Sequence, residues 1–453
     1  MTRLDPDFLQ AIRNEFSSTR HWIDRAIVLA YATAAGLAVV GFTILSEWAF
    51  GGFHALQSIS PWLALIWTPA LTAAIVWTTR RWFSGAGGSG IPQVMAALDP
   101  VMPPEGGSRF VSLRLSLGKI GLSSAGLLAG LSLGREGPSV QVAAGVMQHA
   151  QRWLGPRSGI DRRALLVAGG AAGIAAAFNA PLAGVVFAIE ELSRKLESRS
   201  SGLILAAIVL AGLMGVSVFG NLTYFGRIAV PRLGWDALLP GLAVALLCGL
   251  LGGLFSRLLI ASMTGGSAER LTRWRARRPV AFAAACGLLI AVIGLASGGD
   301  TFGAGSETVK LMLAGQAEVP PLYVLLKFAA TWLTSWSGVP AGIFAPSLSI
   351  GAGVGHDVAR IAGGDIGPAL IAMGMAAFLA AVTQAPLTAF IIVMEMVDGH
   401  AMVLSLMTAA MIASLVSRMV SRSLYATLAE AMVDSVIGQR HPEAVSHKRP
   451  DEG

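Results

Sequence analysis

Two glutamates of this 453-residue chain stand within or at the end of apolar segments, where they could carry protons. Glu136 lies in Gly-Arg-Glu-Gly-Pro at 134–138, and Glu191 follows the apolar run 164–189. Acidic side chains are costly inside a membrane and usually serve a function there. A carboxyl group can accept and release a proton, so we predict a proton-carrying role for both residues. The alternative for Glu136 is a salt bridge with Arg135 or Lys119.

Lys119 is the only charged residue between Leu115 and Gly134. An ammonium group in such a segment needs a carboxylate or carbonyl partner. It could attract anions toward a site, or it could hold Glu191 or the end of a helix. Of these roles, the sequence favours the structural one.

The composition indicates an integral membrane protein. Hydrophobic residues make up 54% of the chain, charged residues make up 13%, and the mean hydropathy is +0.65. A bilayer core needs about 20 apolar residues as helix, and backbone groups at that depth must be paired within the protein. The sequence therefore predicts an all-α polytopic fold, with uncharged runs that are each long enough to span. These runs cover 26–46, 164–189, 201–226, 279–299, 328–356 and 366–394.

The formal net charge of +7 is carried by loops and chain ends. Basic loops beside membrane spans mark the cytoplasmic side, so the charge does not imply nucleic acid. Residues 1–25 are predicted to form an amphipathic cytoplasmic helix rather than a cleaved signal, and residues 439–453 a short polar cytoplasmic tail. Cys248 and Cys286 are predicted to be small core residues, with no disulfide, metal or cofactor implied.

The chain contains an internal repeat. Residues 134–146 match residues 342–354 at six of thirteen positions, with an offset of 342 − 134 = 208. The motif Ala-Pro-Leu at 180–182 recurs at 385–387, with an offset of 205, and Gly-Ser-Gly at 88–90 resembles Gly-Ala-Gly at 303–305. Inverted repeats of this kind are typical of transporters whose site lies between the halves. We predict a first membrane repeat over 26–225 and a second over 226–438.

The repeated blocks carry Gly or Pro inside apolar runs, which predicts interrupted and half-spanning helices. Helix N-termini carry partial positive charge and bind anions, and an ion held by dipoles can also be released. The pattern therefore indicates an anion carrier or channel.

The two repeats differ where chemistry is expected. Glu136 aligns with Phe344, and Glu191 aligns with Met396. Positions that differ between the halves are candidates for function. Glu190, by contrast, aligns with Glu395. We interpret that shared pair as architectural, through helix capping or interfacial hydrogen bonds.

These motifs together resemble the CLC family of chloride channels and transporters, most closely its prokaryotic chloride/proton antiporters. The signatures are Gly-Ser-Gly-Ile-Pro at 88–92, Gly-Arg-Glu-Gly-Pro at 134–138, Gly-Ile-Phe-Ala-Pro at 342–346 and, near the end of the membrane region, Tyr425. The resemblance covers residues 20 to 435. It implies a homodimer with one pore in each subunit.

The resemblance also implies the residues of a chloride site. The Ser89 and Tyr425 positions coordinate the central anion through hydroxyl groups. The Ile343 and Phe344 positions supply backbone N–H groups, and Gly137 stands beside them in the second motif. From the residues alone, Tyr425 could equally be an interfacial anchor, and Ser89 could be a helix N-cap.

The resemblance assigns the proton carriers as well. Glu136 resembles the family's external gate, a carboxylate that competes with chloride for its site and withdraws when protonated. Glu191 resembles the internal proton-transfer glutamate, which channels of the family tend to lack. We therefore expect exchange of chloride for protons, with Lys119 and Arg135 in supporting roles. The alternative within the family is a passive chloride channel.

Ser89 and Pro138 favour chloride over the fluoride and nitrate of other family branches. Gln93 and Met95 stand where some bacterial exchangers carry acids, so the proton path here would differ or be weaker. The short tail leaves no room for the nucleotide-binding CBS pair of many eukaryotic relatives. We therefore expect a prokaryotic inner-membrane protein.

A rival of another class is an intramembrane serine hydrolase that uses Ser89. Such an enzyme needs a base beside the serine. His149 or His356 would have to supply it, although both are predicted to lie at membrane interfaces.

Overall fold

The structure is a computed structural model that describes residues 19–155, 158–193, 201–220, 224–226, 237–265, 269–316, 319–363 and 365–440. Within these ranges it is helical and has no strand; a single isolated bridge joins Gly134 and Gly342. The all-α prediction is confirmed. The predicted N-terminal helix 1–25 lies outside the described residues up to residue 18, and 19–25 open the first long helix. The predicted tail lies outside them from residue 441 onward.

We number the described helices α1 to α19 in chain order, leaving out single 3₁₀ turns. The first half contains α1 (Thr19–Ile59), α2 (Ala64–Trp82), α3 (Ile91–Leu98), α4 (Pro104–Ser108), α5 (Leu113–Leu128), α6 (Glu136–His149), α7 (Arg162–Phe178), α8 (Pro181–Phe187) and α9 (Ser201–Phe219). The second half contains α10 (Leu238–Thr264), α11 (Glu269–Arg277), α12 (Pro279–Ala296), α13 (Ser306–Leu313), α14 (Tyr323–Ser337), α15 (Phe344–Ala362), α16 (Gly367–Thr383), α17 (Pro386–Met396), α18 (Val403–Val420) and α19 (Leu424–Arg440).

Among the described residues, six helical segments are long and apolar enough to cross a membrane. The predicted run 26–46 falls in α1, residues 201–219 of the run 201–226 form α9, and residues 279–296 of the run 279–299 form α12. Residues 221–223 of the second run lie outside the described residues. Large apolar side chains are exposed along these helices, as expected where lipid replaces water. The segments are Arg20–Ile59, Pro61–Trp82, Gly202–Phe219, Leu238–Thr264, Pro279–Ala296 and His400–Val420.

Two of the other predicted runs are not single spans. The run 164–189 breaks at Asn179, which has φ 55°, and the run 366–394 breaks at Gln384, which has φ 60°. An Ala-Pro pair follows each of them and starts the next short helix, α8 or α17. A left-handed residue ends a helix and proline cannot continue it, so apolar composition alone overstated these two spans.

The run 328–356 is broken as well. Helix α14 ends at Ser337, Gly338 has φ 93°, and α15 starts only at Phe344. The intervening residues form an irregular segment in the interior. Irregular backbone at membrane depth is tolerated where it is buried in protein or faces a cavity, so this break marks a place for a site.

Close helix packing holds the short helices in place. Helix α6 packs on α7, and α15 packs on α16. At Gly351 an added Cβ would lie 2.2 Å from the Gly374 carbonyl oxygen, and at Gly173 it would lie 2.5 Å from the Ser139 carbonyl oxygen. Small residues let helix backbones approach in membranes. The two cysteines are buried in this packing, as predicted.

Candidate functional site

Three irregular segments meet through backbone hydrogen bonds in the interior. Gly134 and Gly342 exchange a pair of N–H···O bonds of 2.8 and 3.1 Å. Gly88 donates to the Val339 carbonyl at 3.2 Å and accepts from the Ala341 N–H at 3.1 Å. The three signature motifs of the sequence therefore share one place.

Three helix N-termini start beside these segments. Helix α3 begins at Ile91, α6 at Glu136 and α15 at Phe344. The first turns of a helix leave N–H groups without intrahelical partners, and their partial positive charge favours an anion. Their convergence can hold an anion without a full cation.

Gly137 makes part of this convergence possible. A Cβ added to Gly137 would lie 2.5 Å from the Ser89 hydroxyl oxygen, which no real side chain tolerates. Gly90 has φ 112°, and its Cβ would lie 2.5 Å from the Gly137 carbonyl oxygen. Gly137 therefore serves the approach of the Ser89 loop to the start of α6.

The hydroxyl groups of Ser89 and Tyr425 face one another at the same place. They interact with each other, but neither hydroxyl makes a hydrogen bond of ordinary geometry. Tyr425 is only 1% exposed, and its ring lies 6.1 Å from that of Phe344. Buried hydroxyls normally find partners, so this pair suits an acceptor that can enter between them.

Glu136 is 1% exposed and stands at the start of α6. The backbone N–H groups of Arg135, Glu136 and Ala345 surround its carboxyl group, while Oε2 has no hydrogen-bond partner. The carboxyl group thus sits where an anion would meet the N-termini of α6 and α15. Among the sequence-predicted residues, Glu136, Gly137, Ile343 and Phe344 come together here with Ser89 and Tyr425.

A cavity of about 930 Å³ leads to Glu136 from one side. The C-terminal half of α1, the loop 298–305 and the start of α13 line it. Neither Ser89 nor Tyr425 belongs to its lining. Glu136 therefore lines this cavity, whereas the two hydroxyl groups lie outside it. Other charged residues of the lining are Glu47, Arg135, Asp300, Glu307 and Lys310.

Arg135 forms its ion pair with Glu47, at 3.0 Å between Nη1 and Oε1. Its side chain is 10% exposed, whereas that of Glu47 is 59% exposed. Glu136 is near enough for an electrostatic effect on the guanidinium, but the structure shows no salt bridge between these two side chains. Glu47 was absent from the sequence prediction because it lies 88 residues before its partner.

Lys119 is fully buried, and its partners are carbonyl groups. The ammonium donates to the carbonyl oxygens of Ala86 at 2.8 Å and Gly88 at 2.6 Å. The expectation of a carbonyl partner is confirmed. The lysine therefore holds the loop that carries Ser89.

Lys327 repeats this arrangement in the second half. It is also fully buried, and it donates to the carbonyl oxygens of Thr301 at 3.0 Å and Gly303 at 2.8 Å. The sequence prediction missed it, although 327 − 119 = 208 is the offset of the repeated blocks. Nearby Asp300 lies in the loop after α12, outside the candidate spans, and partial burial raises the pKa of its carboxyl group against the opposing effect of Lys327.

Glu191 lies apart from the Glu136 cavity. It belongs to a π-helical turn, Ala188–Leu192, that continues α8, and it is partly buried. It interacts electrostatically with Tyr425. Single π turns inside helices are frequent at functional sites, so the local geometry agrees with a special role for this residue.

Gln93 and Met95 have structural partners. Gln93 accepts from the Gly90 N–H at 2.8 Å and donates to the Gly87 carbonyl, so it braces the Ser89 loop. Met95 packs with the apolar side chains of α19. Neither supplies a titratable group near Lys119.

A hydrolase centred on Ser89 lacks its base. The Ser89 hydroxyl has no hydrogen-bond partner, so neither candidate histidine is bonded to it. The His149 ring lies beside Tyr31 instead, at 6.1 Å between centroids. The serine therefore has no activating partner of the kind that nucleophilic catalysis requires.

Comparison with known proteins identifies relatives of this arrangement. The family described as "Voltage gated chloride channel" matches residues 70–418. The chain is 31% identical over 405 residues to the H(+)/Cl(-) exchange transporter ClcA of Citrobacter koseri, covering 84% of this chain and 82% of that protein. It is also 31% identical over 406 residues to the ClcA of Cronobacter sakazakii, covering 82% and 81%.

Solved structures share the fold. A slow cyanobacterial Cl−/H+ antiporter superposes with a TM-score of 0.75 at 23% identity, over 90% of this chain and 98% of that chain. A CLC-type fluoride/proton antiporter superposes with a TM-score of 0.74 at 20% identity, over 90% and 97%. At these identities the likeness establishes the fold alone.

Proposed function

Because the chain belongs to the voltage gated chloride channel family, we propose that it exchanges chloride for protons across a membrane. Bacterial relatives at 31% identity are named as H(+)/Cl(-) exchange transporters. The observation that carries the proposal is the position of Glu136, whose carboxyl group lines a cavity while the adjacent residue, Gly137, closely approaches the Ser89 hydroxyl. A titratable anion at that position links the two ions.

Chloride binds where the helix N-termini converge. The hydroxyls of Ser89 and Tyr425 and the backbone N–H groups of Ile343 and Phe344 donate to it, and Gly137 leaves the space. Neutral donors replace part of the hydration shell of the ion without trapping it. Supporting this assignment, the two hydroxyls are buried without other partners.

Glu136 is the gate in this mechanism. As a carboxylate it competes with chloride for the N–H groups at the start of α6 and α15. Once protonated, it no longer needs those donors, swings into the cavity and admits chloride. Chloride enters the site only when Glu136 has taken up a proton and left it, so the chloride and proton fluxes are coupled. Arg135 supports the gate from the cavity side.

Glu191 passes protons on the opposite side of the anion site, away from the chloride path. We assign that side to the cytoplasm through the positive-inside rule. Helix α2 ends there with Arg80 and Arg81, whereas the C-terminal half of α1 lines the Glu136 cavity. Both chain termini are cytoplasmic in this orientation.

The protein acts as a homodimer with one pore per subunit, in the inner membrane of a prokaryote. It is a transporter, not an enzyme, and needs no cofactor besides the ions it moves. Chemical cross-linking in membranes, followed by sizing under denaturing conditions, tests the dimer. A product at the mass of one chain at every cross-linker concentration contradicts it.

A passive chloride channel is the second candidate. Gln93 and Met95 favour it, because the structure gives them bracing and packing roles and no titratable group. A channel would conduct chloride without moving protons against their gradient.

Reconstituted liposomes separate the two. An outward chloride gradient is imposed on sealed vesicles at equal pH, and external pH is recorded together with chloride efflux. Exchange predicts proton uptake that stops when an uncoupler is added. Chloride efflux without proton movement, at a pH where efflux is clear, rejects the exchanger and leaves the channel.

A further inference from the structure

Its ion pair alone does not fix the Arg135 side chain in the cavity beside Glu136. The guanidinium is almost fully buried, but its partner Glu47 is mostly exposed. Exposed ion pairs are screened and contribute little to fixing a side chain. Its Nε is buried and has no hydrogen-bond partner, so the side chain is free of other polar restraints at that atom.

Tyr224 supplies a second contact. The Arg135 Cζ lies 5.8 Å from the centroid of the Tyr224 ring, and the Lys310 Nζ lies 6.0 Å from it. A cation over an aromatic face is attracted by the quadrupole of the ring, and more strongly where water is excluded. The ring therefore contacts both Arg135 and Lys310, the two cations of the cavity lining.

The ring itself is anchored from two sides. The Tyr224 hydroxyl lies 3.1 Å from the Ser306 hydroxyl, at the start of α13. The next residue, Phe225, donates its N–H to the Met396 carbonyl at the end of α17, at 3.0 Å, and its ring packs edge-on against Tyr224 at 4.8 Å. A short segment between the halves thus carries one fixed ring into the cavity.

We propose that Tyr224 is a positioning residue that holds the Arg135 guanidinium in the cavity beside Glu136, where it draws chloride toward the gate. Lys310 shares the ring, and Glu47 limits the charge that Arg135 presents. Without the ring, the ion pair with the exposed Glu47 remains as a restraint, and the Arg135 side chain moves toward solvent. This inference rests on the proposed anion pathway through the cavity, but it holds for an exchanger and for a channel alike.

The test is a double-mutant cycle on chloride flux alone. Half-saturating chloride is measured in liposomes for wild type, Tyr224→Ala, Arg135→Gln and the double variant. Tyr224→Ala should raise the half-saturating concentration about threefold or more, with a smaller change in maximal rate. The double variant should match Arg135→Gln, because the tyrosine acts through the arginine.

Conservative and matched variants separate positioning from damage. Tyr224→Phe keeps the ring and should stay within about twofold of wild type, whereas Tyr224→Leu keeps bulk without the quadrupole and should behave like Tyr224→Ala. Tyr31→Ala makes the same change at a distant partly buried tyrosine and should leave half-saturation unchanged. The proposal is overturned if the increases in half-saturating chloride of the two single variants multiply in the double variant. It is also overturned if Tyr224→Leu has the wild-type half-saturating concentration. If the wild-type protein moves chloride without protons, the proposed exchange is contradicted. The double-mutant cycle still tests Tyr224, because it measures chloride flux alone.

Discussion

Glu190 and Glu395 each cap the helix that leads to the other. The Glu190 carboxylate accepts the Thr388 N–H at 2.7 Å, in the first turn of α17, and Glu395 lies near the end of that helix. Glu395 in turn accepts the Ala183 N–H at 2.7 Å, in the first turn of α8, which continues into the turn that carries Glu190. The sequence prediction that this shared pair is architectural is confirmed.

Removing one of these caps should destabilise the protein without changing the transport ratio. Glu395→Ala leaves two N–H groups of α8 without an ionised acceptor, which costs about 1.5–3 kcal/mol of the free energy of unfolding. Thermal unfolding in detergent measures the loss, and Glu430→Ala, on an exposed position of α19, is the control. Equal melting temperatures for the two variants would contradict the capping role.

Neutralising the gate should separate chloride from protons. Glu136→Gln cannot take up or release a proton, so liposomes carrying it should show chloride efflux without proton uptake. The comparison is Glu307→Gln, which changes an exposed carboxyl group of the same cavity, paired with Lys310, and should remain coupled. If the Glu136 variant still drives protons uphill, this residue is not the coupling group.

Replacing Glu191 should stop protons and spare the anion. Glu191→Gln keeps the shape of the side chain and removes its titration, and the residue lies outside the Glu136 cavity. We expect proton uptake to fall below detection while chloride efflux stays within about threefold of wild type. An unaltered coupling ratio would remove Glu191 from the mechanism.

The two unpaired hydroxyls should each contribute to chloride affinity. Ser89→Ala or Tyr425→Phe removes one neutral donor, worth about 1 kcal/mol, or about a fivefold rise in the chloride dissociation constant. Titration calorimetry in detergent gives this constant directly. Ser58→Ala, at an exposed hydroxyl on α1, should bind chloride as wild type does. Wild-type affinity in both hydroxyl variants would place the anion elsewhere.

The twin lysines provide a matched pair. Lys119→Met and Lys327→Met each leave two carbonyl groups without their donor, so both should lose about 1–3 kcal/mol of stability. Only Lys119 holds the loop of Ser89, so only Lys119→Met should also weaken chloride binding. Equal chloride affinity in the two variants would show that the loop does not position the site.

Much of the site could be predicted from the sequence because its parts are local. The three motifs combine Gly and Pro with single polar residues, and such segments end or start helices wherever they occur. The repeat then indicated that Glu190 and Glu395 share one role. The same offset pointed to Lys327, and the prediction missed it only because that lysine lies outside the matched blocks.

Other features depend on contacts that no local pattern encodes. Glu47 and Arg135 are 88 residues apart, and Tyr224 lies in a segment without a helical pattern, so their meeting follows from the packing of whole helices. The Pro residues of the repeated blocks predicted that helices are interrupted there, and the breaks before α8 and α17 confirm it. Only the exact end of each preceding helix, at the left-handed residues Asn179 and Gln384, was not given by the sequence pattern.

The paired hydrogen bonds between Gly134 and Gly342 restrict how access can alternate. They tie the two halves together beside the proposed anion site. A rocking movement of one half against the other would have to break both bonds and leave four buried polar groups without partners. The two bonds therefore hold the backbone of the two halves together at Gly134 and Gly342. With the backbone held at these two glycines, opening toward either side is expected to come from movements around them, such as rotation of the Glu136 side chain.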